Sequence, residues 1–392
     1  MHYPKLLLPI IIISQFCCTS LWFAGNGIMT DLIVAFGLNP SDVGPLTSAV
    51  QFGFILGTLS FALLTIADRF SPSKVFFISA VLAALFNSGM VLEGNNLTSL
   101  LALRFGTGFF LAGIYPVGMK IAADYYTNGL GKSLGFLVGA LVLGTAFPHL
   151  LNQLTGQYPY QAVVIVTSTL AFVGGGLMIS LVPDGPNRKP SQKTNLRAFF
   201  TVFKKPGFRS AAFGYFGHMW ELYAFWTFVP MILEKYNAAH PQAQFTIPVW
   251  SFFIIGIGGL ACVLSGLLSQ RTGTQRTAFI ALSLSALCCL LSPWVFTSSV
   301  AVVFSGFLLF WGMVVIADSP LLSTLVAQQA DPALKGTALT IVNCIGFEIT
   351  ILSIQGLTFL VEYTTSNLVF MLLAIGPLLG LLALRTSTKQ HS

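Results

Sequence analysis

Charge is what this sequence lacks. Only 8% of its 392 residues are Asp, Glu, Lys or Arg, and the acidic ones number 12. A soluble domain carries roughly 25% charged residues. The chain therefore cannot cover an aqueous surface of its size, and a soluble globular enzyme is excluded. Cysteine is also sparse. Cys17, Cys18, Cys262, Cys288, Cys289 and Cys344 all lie in apolar stretches without zinc-ligand spacing. They read as small apolar packing residues, and their adjacent pairs are poor disulfide candidates. His2, His149, His218, His240 and His391 are scattered, so no metal constellation is expected. A complete Gly-x-x-x-x-Gly-Lys-Ser/Thr phosphate loop is missing too, since Gly131-Lys132-Ser133 has Tyr126 in place of the first glycine, which argues against ATP-driven transport. No catalytic triad can be assembled, and no cofactor is expected.

Apolar residues are abundant: 55% of the chain is hydrophobic, with 35 Phe and 37 Gly. That content excludes disorder, and glycine is more frequent in membrane helices than in soluble ones. A membrane helix takes about 20 apolar residues, so twelve spans with short connections consume nearly the whole chain. The apolar segments fall at about 6–29, 43–66, 74–92, 97–122, 131–152 and 161–182, then at about 208–233, 247–269, 277–296, 299–323, 336–359 and 367–384. The first resembles a signal peptide, but its apolar run continues past Leu21 without a small-x-small cleavage site, so it reads as span 1. The fold class is an all-α integral membrane protein. Its domains are a six-helix bundle over 1–183, a linker over 184–207 and a second six-helix bundle over 208–392.

Basic residues orient these spans. Lys5, Arg69, Lys74, Lys120, Lys132, the cluster Arg188, Lys189, Lys193, Arg197, Lys204, Lys205 and Arg209, then Arg271, Arg276, Lys335, Arg385 and Lys389 all fall on one side. The opposite loops hold only Lys235. Inner loops of membrane proteins are enriched in Lys and Arg, so both termini and the central loop are expected in the cytoplasm, across a cell inner membrane. The same rule explains the formal charge of +7 without nucleic acid. The central cluster reads as a topology signal, with anionic-lipid contact as a lesser role.

The two halves carry a repeat. Asp68-Arg69 through Lys74 follows span 2, and Arg271 through Arg276 follows span 8, with Arg69/Arg271 and Lys74/Arg276 both offset by 202 residues. Here the chain resembles the major facilitator superfamily, whose signature between helices 2 and 3 is Gly-x-x-x-Asp-Arg-x-Gly followed by basic residues. The first copy keeps Asp68, Arg69 and Lys74 but has Leu64 and Ser71 where Gly is usual. The second keeps Gly266, Arg271, Gly273 and Arg276 but has Gln270 in place of Asp. Arg104-x-x-x-Gly108 is similar to the family's helix-4 pattern. The Gly-Pro ending that many drug antiporters carry in helix 5 is broken, because Phe147 precedes Pro148.

The resemblance implies a monomeric secondary transporter in which two bundles rock around a midplane site. Helices 1, 4, 7 and 10 would line the cavity. Asp68, Arg69 and Arg271 would act as cytoplasmic gate latches, Asp68 pairing with a basic group or helix end in one conformation and releasing it in the other. Simple positive-inside anchoring suffices for Lys74 and Arg276.

Ionisable side chains inside the bilayer cost at least about 2.5–3.5 kcal/mol and are functional candidates by default. Arg104, Glu221, Asp318 and Glu348 stand in apolar runs, on spans 4, 7, 10 and 11. Glu221 follows His218 by three residues, on roughly one helix face, and such a pair can take up and release a proton. The alternative is a Glu hydrogen-bonded to a neighbouring helix. Arg104 offers a planar fork to an anionic substrate group, or serves a fixed inter-helix bridge. Asp318, just before Pro320, is a coupling group, an inner-gate hydrogen bond or a cap on broken backbone. Glu348 shares a face with Gln355 and serves substrate, proton or packing. Gln15, Thr19, Trp22 and Asn26 form one polar stripe on span 1, a cavity wall or a hydrogen-bonded seam. Tyr115, Tyr223, Trp226 and Trp311 are aromatic wall candidates or packing.

The expected function is alternating-access secondary transport of a small polar or amphipathic solute, coupled to protons through Glu221 with His218. Arg104 and the broken antiporter motif lean it toward uptake of an organic anion or metabolite. The alternative is a proton-coupled exporter of drugs or metabolites, in which Glu221, Asp318 and Glu348 bind cations. A membrane-embedded enzyme or a receptor would need motifs or a tail that are not visible.

Overall fold

The computed structural model describes residues 6–126, 130–156, 158–188, 202–331 and 334–388. Lys5, Lys189, Lys193, Arg197 and Lys389 of the orienting set lie outside them. Among the described residues the secondary structure is helical, with no strand, and the chain divides into two compact units between residues 193 and 194.

The first unit contains α1 (Leu7–Thr19), α2 (Ala24–Gly27), α3 (Met29–Phe36), α4 (Val43–Leu63), α5 (Ile66–Arg69), α6 (Pro72–Ser88), α7 (Leu97–Leu111), α8 (Tyr115–Tyr125), α9 (Leu130–Leu154) and α10 (Gln161–Leu181). The second contains α11 (Pro206–Ala239), α12 (Ile247–Thr272), α13 (Thr274–Phe296), α14 (Ala301–Ala317), α15 (Ser319–Gln329), α16 (Lys335–Tyr363) and α17 (Ile375–Thr388), with a 3₁₀ segment at Asn367–Ala374. Ten of the predicted spans are long and apolar enough to cross a membrane. Spans 1 and 7 complete the twelve. Span 7 is α11, longer than predicted. Span 1, predicted as one helix, is α1, α2 and α3 in series.

The break in span 1 has a local cause. Between Thr19 and Ala24 the backbone tightens to three-residue bonds, with Trp22 N–H donating to Thr19 O (3.0 Å) and Ala24 N–H to Leu21 O (3.4 Å). Just ahead of it, the Thr19 hydroxyl donates to Gln15 O (2.8 Å) and the Ser20 hydroxyl to Cys17 O (2.7 Å). Such back-bonding competes with the helical ladder and bends helices. Spans 4 and 10 are broken as well, each just before a proline at the start of its second helix, Pro116 of α8 and Pro320 of α15. Proline removes an N–H from the ladder and crowds the preceding turn.

Each unit packs its second span against its fourth in the same way. A Cβ at Gly108 of α7 would stand 2.0 Å from the Val50 carbonyl of α4, and a Cβ at Gly312 of α14 would stand 2.0 Å from the Ile254 carbonyl of α12. The spacing from Val50 to Gly108 equals that from Ile254 to Gly312, and the breaking prolines keep the same register. Only glycine lets the backbones meet this closely, the small-residue packing typical of membrane helices. The repeat read from the arginine turns thus extends to the packing inside each unit.

Candidate functional site

In the first unit, Arg104 explains how the break in span 1 is tolerated. Its side chain is only 2% exposed. Nη1 donates to Leu21 O (3.1 Å) and Asn87 Oδ1 (3.3 Å), and Nη2 donates to Trp22 O. Leu21 and Trp22 are the residues of the tightened turn. In hydrocarbon, freed backbone carbonyls need internal partners, and a planar guanidinium meets two of them at once. Among the described residues no carboxylate pairs with it; its partners are two backbone carbonyls and the Asn87 side chain. Sequence reasoning does not single out Asn87, a buried polar residue in span 3. It also donates to Thr167 Oγ1 (3.2 Å) and Ser168 Oγ (2.9 Å), joining spans 3, 4 and 6.

The polar stripe of span 1 is buried throughout. Thr19 bonds within its own helix and reaches Ala140 O on α9 (3.5 Å). Asn26 Nδ2 donates to Thr47 Oγ1 on α4 (2.7 Å), and the Trp22 ring packs on Phe54 with centroids 4.8 Å apart. Tyr115 opens α8 at the span 4 break and is partly buried. At one end of this unit, Asp68 Oδ1 lies 2.7 Å from Lys120 Nζ. Arg188 donates to Asp68 O (2.8 Å), Phe70 O (2.7 Å) and Asp184 Oδ2 (2.8 Å). Ser71 Oγ donates to Asp184 Oδ1 (2.6 Å). The turn after span 2 is therefore tied to the end of span 4 and to the segment after span 6. Arg69 is exposed, as is Arg271 in the second unit.

In the second unit, Glu221 and His218 sit on α11 but find different partners. Glu221 Oε1 accepts from Ser285 Oγ of α13 (2.6 Å) and Trp311 Nε1 of α14 (2.6 Å). His218 Nδ1 lies 2.8 Å from Asp318 Oδ1, at the break between α14 and α15, with both side chains 1% exposed. The approach is an ion-pair contact without hydrogen-bond geometry: both ring nitrogens of His218 and both carboxylate oxygens of Asp318 are buried and make no hydrogen bond among the described residues. The Asp318 side chain does not cap α15; its backbone carbonyl accepts from Leu321 N (3.0 Å) and Leu322 N (2.8 Å). The expected pairing of Glu221 with His218 is thus replaced by two separate links, each from span 7 to span 10. The cause is the neighbours: Ser285 and Trp311 offer donors at the level of Glu221, and the Pro320 break brings Asp318 to His218.

The aromatic candidates here are packed. Trp311 stacks on Phe225 at 4.4 Å, and Tyr223 meets Trp226 at 5.2 Å and Phe347 at 5.5 Å. Glu348 is exposed, on the side of α16 that also exposes Leu352, and is not gathered with the other acids. Ser285 is the partner that sequence reasoning misses. A serine one turn from Cys289 in an apolar span is a weak signal that becomes meaningful only once Glu221 faces it.

A family model described as Major Facilitator Superfamily matches residues 11–354. The niacin transporter NiaP of Acinetobacter baylyi is 29% identical over 191 residues, 41% of this chain and 43% of that protein. The 4-hydroxybenzoate transporter PcaK of Pseudomonas aeruginosa is 28% identical over 145 residues, 33% of this chain and 32% of that protein. The matched stretches thus span less than half the length of either relative. A crystal structure of the nucleoside transporter NupG superposes with a TM-score of 0.74 at 15% identity, covering 97% of this chain and 99% of that one, a likeness of fold alone.

Proposed function

The chain belongs to the major facilitator superfamily, and on that basis we propose that it takes up a small organic anion together with protons, by alternating access. The substrate class is supported by the two relatives, whose names specify niacin and 4-hydroxybenzoate, both small aromatic carboxylic acids. We place the chain in a cell inner membrane with both termini in the cytoplasm, on the asymmetry of its basic residues.

The observation that carries the coupling is the His218–Asp318 pair. Two ionisable groups 2.8 Å apart, buried on two different spans, are expensive in a membrane unless they do something there. Together they can hold a shared proton or release it, and their link changes with each event. Because Asp318 stands at the break of span 10, a change in its charge acts on the hinge between α14 and α15. Glu221 is the second proton-carrying group, held by Ser285 and Trp311.

The test is transport by proteoliposomes under an imposed pH gradient, with an aromatic carboxylate as substrate. Asp318→Asn and Glu221→Gln are each expected to abolish proton-driven accumulation while sparing substrate exchange. Unchanged accumulation in either variant removes that residue from the coupling role. Substrate accumulation that ignores the pH gradient in the native protein overturns proton coupling as a whole.

A further inference from the structure

Several buried polar groups of the first unit have no hydrogen-bond partner among the described residues. They include both carboxamide atoms of Gln15 and both of Gln51, with Thr145 Oγ1 and His149 Nε2. Gln15 and Gln51 are fully buried, and His149 is 3% exposed. A buried polar group left unpaired costs about 1–3 kcal/mol, and native structures leave few. Two complete carboxamides open in one unit need an explanation that packing does not supply.

Their placement supplies one. Gln51 lies on α4 one turn after Thr47, which accepts from Asn26, and three residues before Phe54, which packs on Trp22. Residues three and four apart share a helix face, so Gln51 faces span 1 beside its break. Gln15 lies on the same span, two turns before Trp22. It reaches α8 at Gly118, where a Cβ would stand 2.3 Å from Gln15 Oε1, so the missing side chain at Gly118 is what makes room for it. Counted along their own spans, Gln51 stands three residues from Phe54 and Gln15 seven from Trp22, the two rings that pack together. Gln15 lies on the regular helix α1, and Trp22 lies past its end, in the tightened turn. Arg104, the buried cation nearby, is already committed to the Leu21 and Trp22 carbonyls and to Asn87.

We propose that the carboxamides of Gln15 and Gln51 recognise the polar ends of a small aromatic carboxylate whose ring lies along Trp22 and Phe54, and that Arg104 holds the helix break without touching substrate. This rests on the organic-anion reading above. A carboxamide suits the task because its N–H groups donate to carboxylate oxygens while its oxygen accepts from a ring hydroxyl or N–H.

The experiment measures uptake into proteoliposomes and thermal unfolding of the purified protein, with benzoate, nicotinate and 4-hydroxybenzoate as probes. Gln51→Leu and Gln15→Leu are expected to raise the KM for the preferred probe at least tenfold and to abolish its stabilising shift. Their unliganded stability should be equal or higher, because an orphaned carboxamide is gone. Gln51→Asn, which keeps the amide on a shorter stem, is expected to fall between and serves if a Leu variant does not fold. Arg104→Lys is expected to lower unliganded stability while keeping KM within about twofold. Leu variants with native KM overturn this proposal and leave the organic-anion reading standing, as does an Arg104→Lys protein that is equally stable but loses the probes. A native protein that responds to none of the three carboxylates overturns both.

Discussion

Arg104 and Glu221 show how a buried charge in a membrane protein is to be read from its partners. The Arg104 fork satisfies two backbone carbonyls and one side-chain oxygen. A lysine ammonium is a point donor that cannot span the same set. Arg104→Lys should therefore destabilise the protein by about 2 kcal/mol, since hydrogen bonds to charged groups contribute roughly that much, measurable as a lower apparent Tm without any substrate. At Glu221 two donors converge on one oxygen. Gln keeps an oxygen there and Ala does not. Glu221→Ala should unfold at a distinctly lower temperature than Glu221→Gln, because it leaves the Ser285 hydroxyl and the Trp311 N–H unpaired, at about 1–3 kcal/mol each. Equal melting temperatures would show that those donors find other partners.

At the scale of the element, the informative features are places where helices stop or touch. Three predicted spans are interrupted, two of them in the same way. Span 1 is held by an arginine from span 4, span 4 breaks before Pro116, and span 10 breaks at Asp318 before Pro320. Periodicity does not foresee this, because the broken stretches are as apolar as the helices around them. The glycine contacts are equally specific. Gly312→Ala puts a methyl 2.0 Å from the Ile254 carbonyl, and overpacking of this kind typically costs about 1–3 kcal/mol. Gly356→Ala, on the same unit with nothing within 4 Å of its Cβ position, should be neutral or stabilising by up to about 1 kcal/mol through helix propensity. Thermal unfolding of the two variants side by side checks the contrast, and Gly108→Ala should repeat the loss in the first unit.

For the whole molecule, the orientation proposal has a direct check. All six native cysteines are buried or partly buried. Introduced cysteines at the exposed positions Glu93 and Gln270 should react with a membrane-impermeant thiol reagent from opposite sides, Gln270→Cys from the cytoplasm. Labelling of both from one side would refute the proposed topology. A small aromatic carboxylate should also raise the apparent stability of the native protein, by about 2.7 kcal/mol at a hundredfold excess over Kd.

The span count, the duplication and the family are all legible in the amino-acid sequence. They depend on hydrophobic length, basic-residue asymmetry and a repeated turn, which are properties of the chain taken segment by segment. The set of buried ionisable residues is legible for the same reason, since a charge inside an apolar run is visible at once. Their partners are not. His218 and Asp318 are a hundred residues apart, Glu221 and Ser285 are 64 apart, and Arg104 reaches back 83 residues to Leu21. Gln51 gives no signal of its own, because a lone glutamine in an apolar span is unremarkable until its amide is found unpaired. By itself the sequence determined which residues enter the membrane, since burial there follows from hydrophobicity along one helix. Only the tertiary structure decided which of them meet, because hydrogen bonds between helices depend on depth and rotation that no single segment encodes.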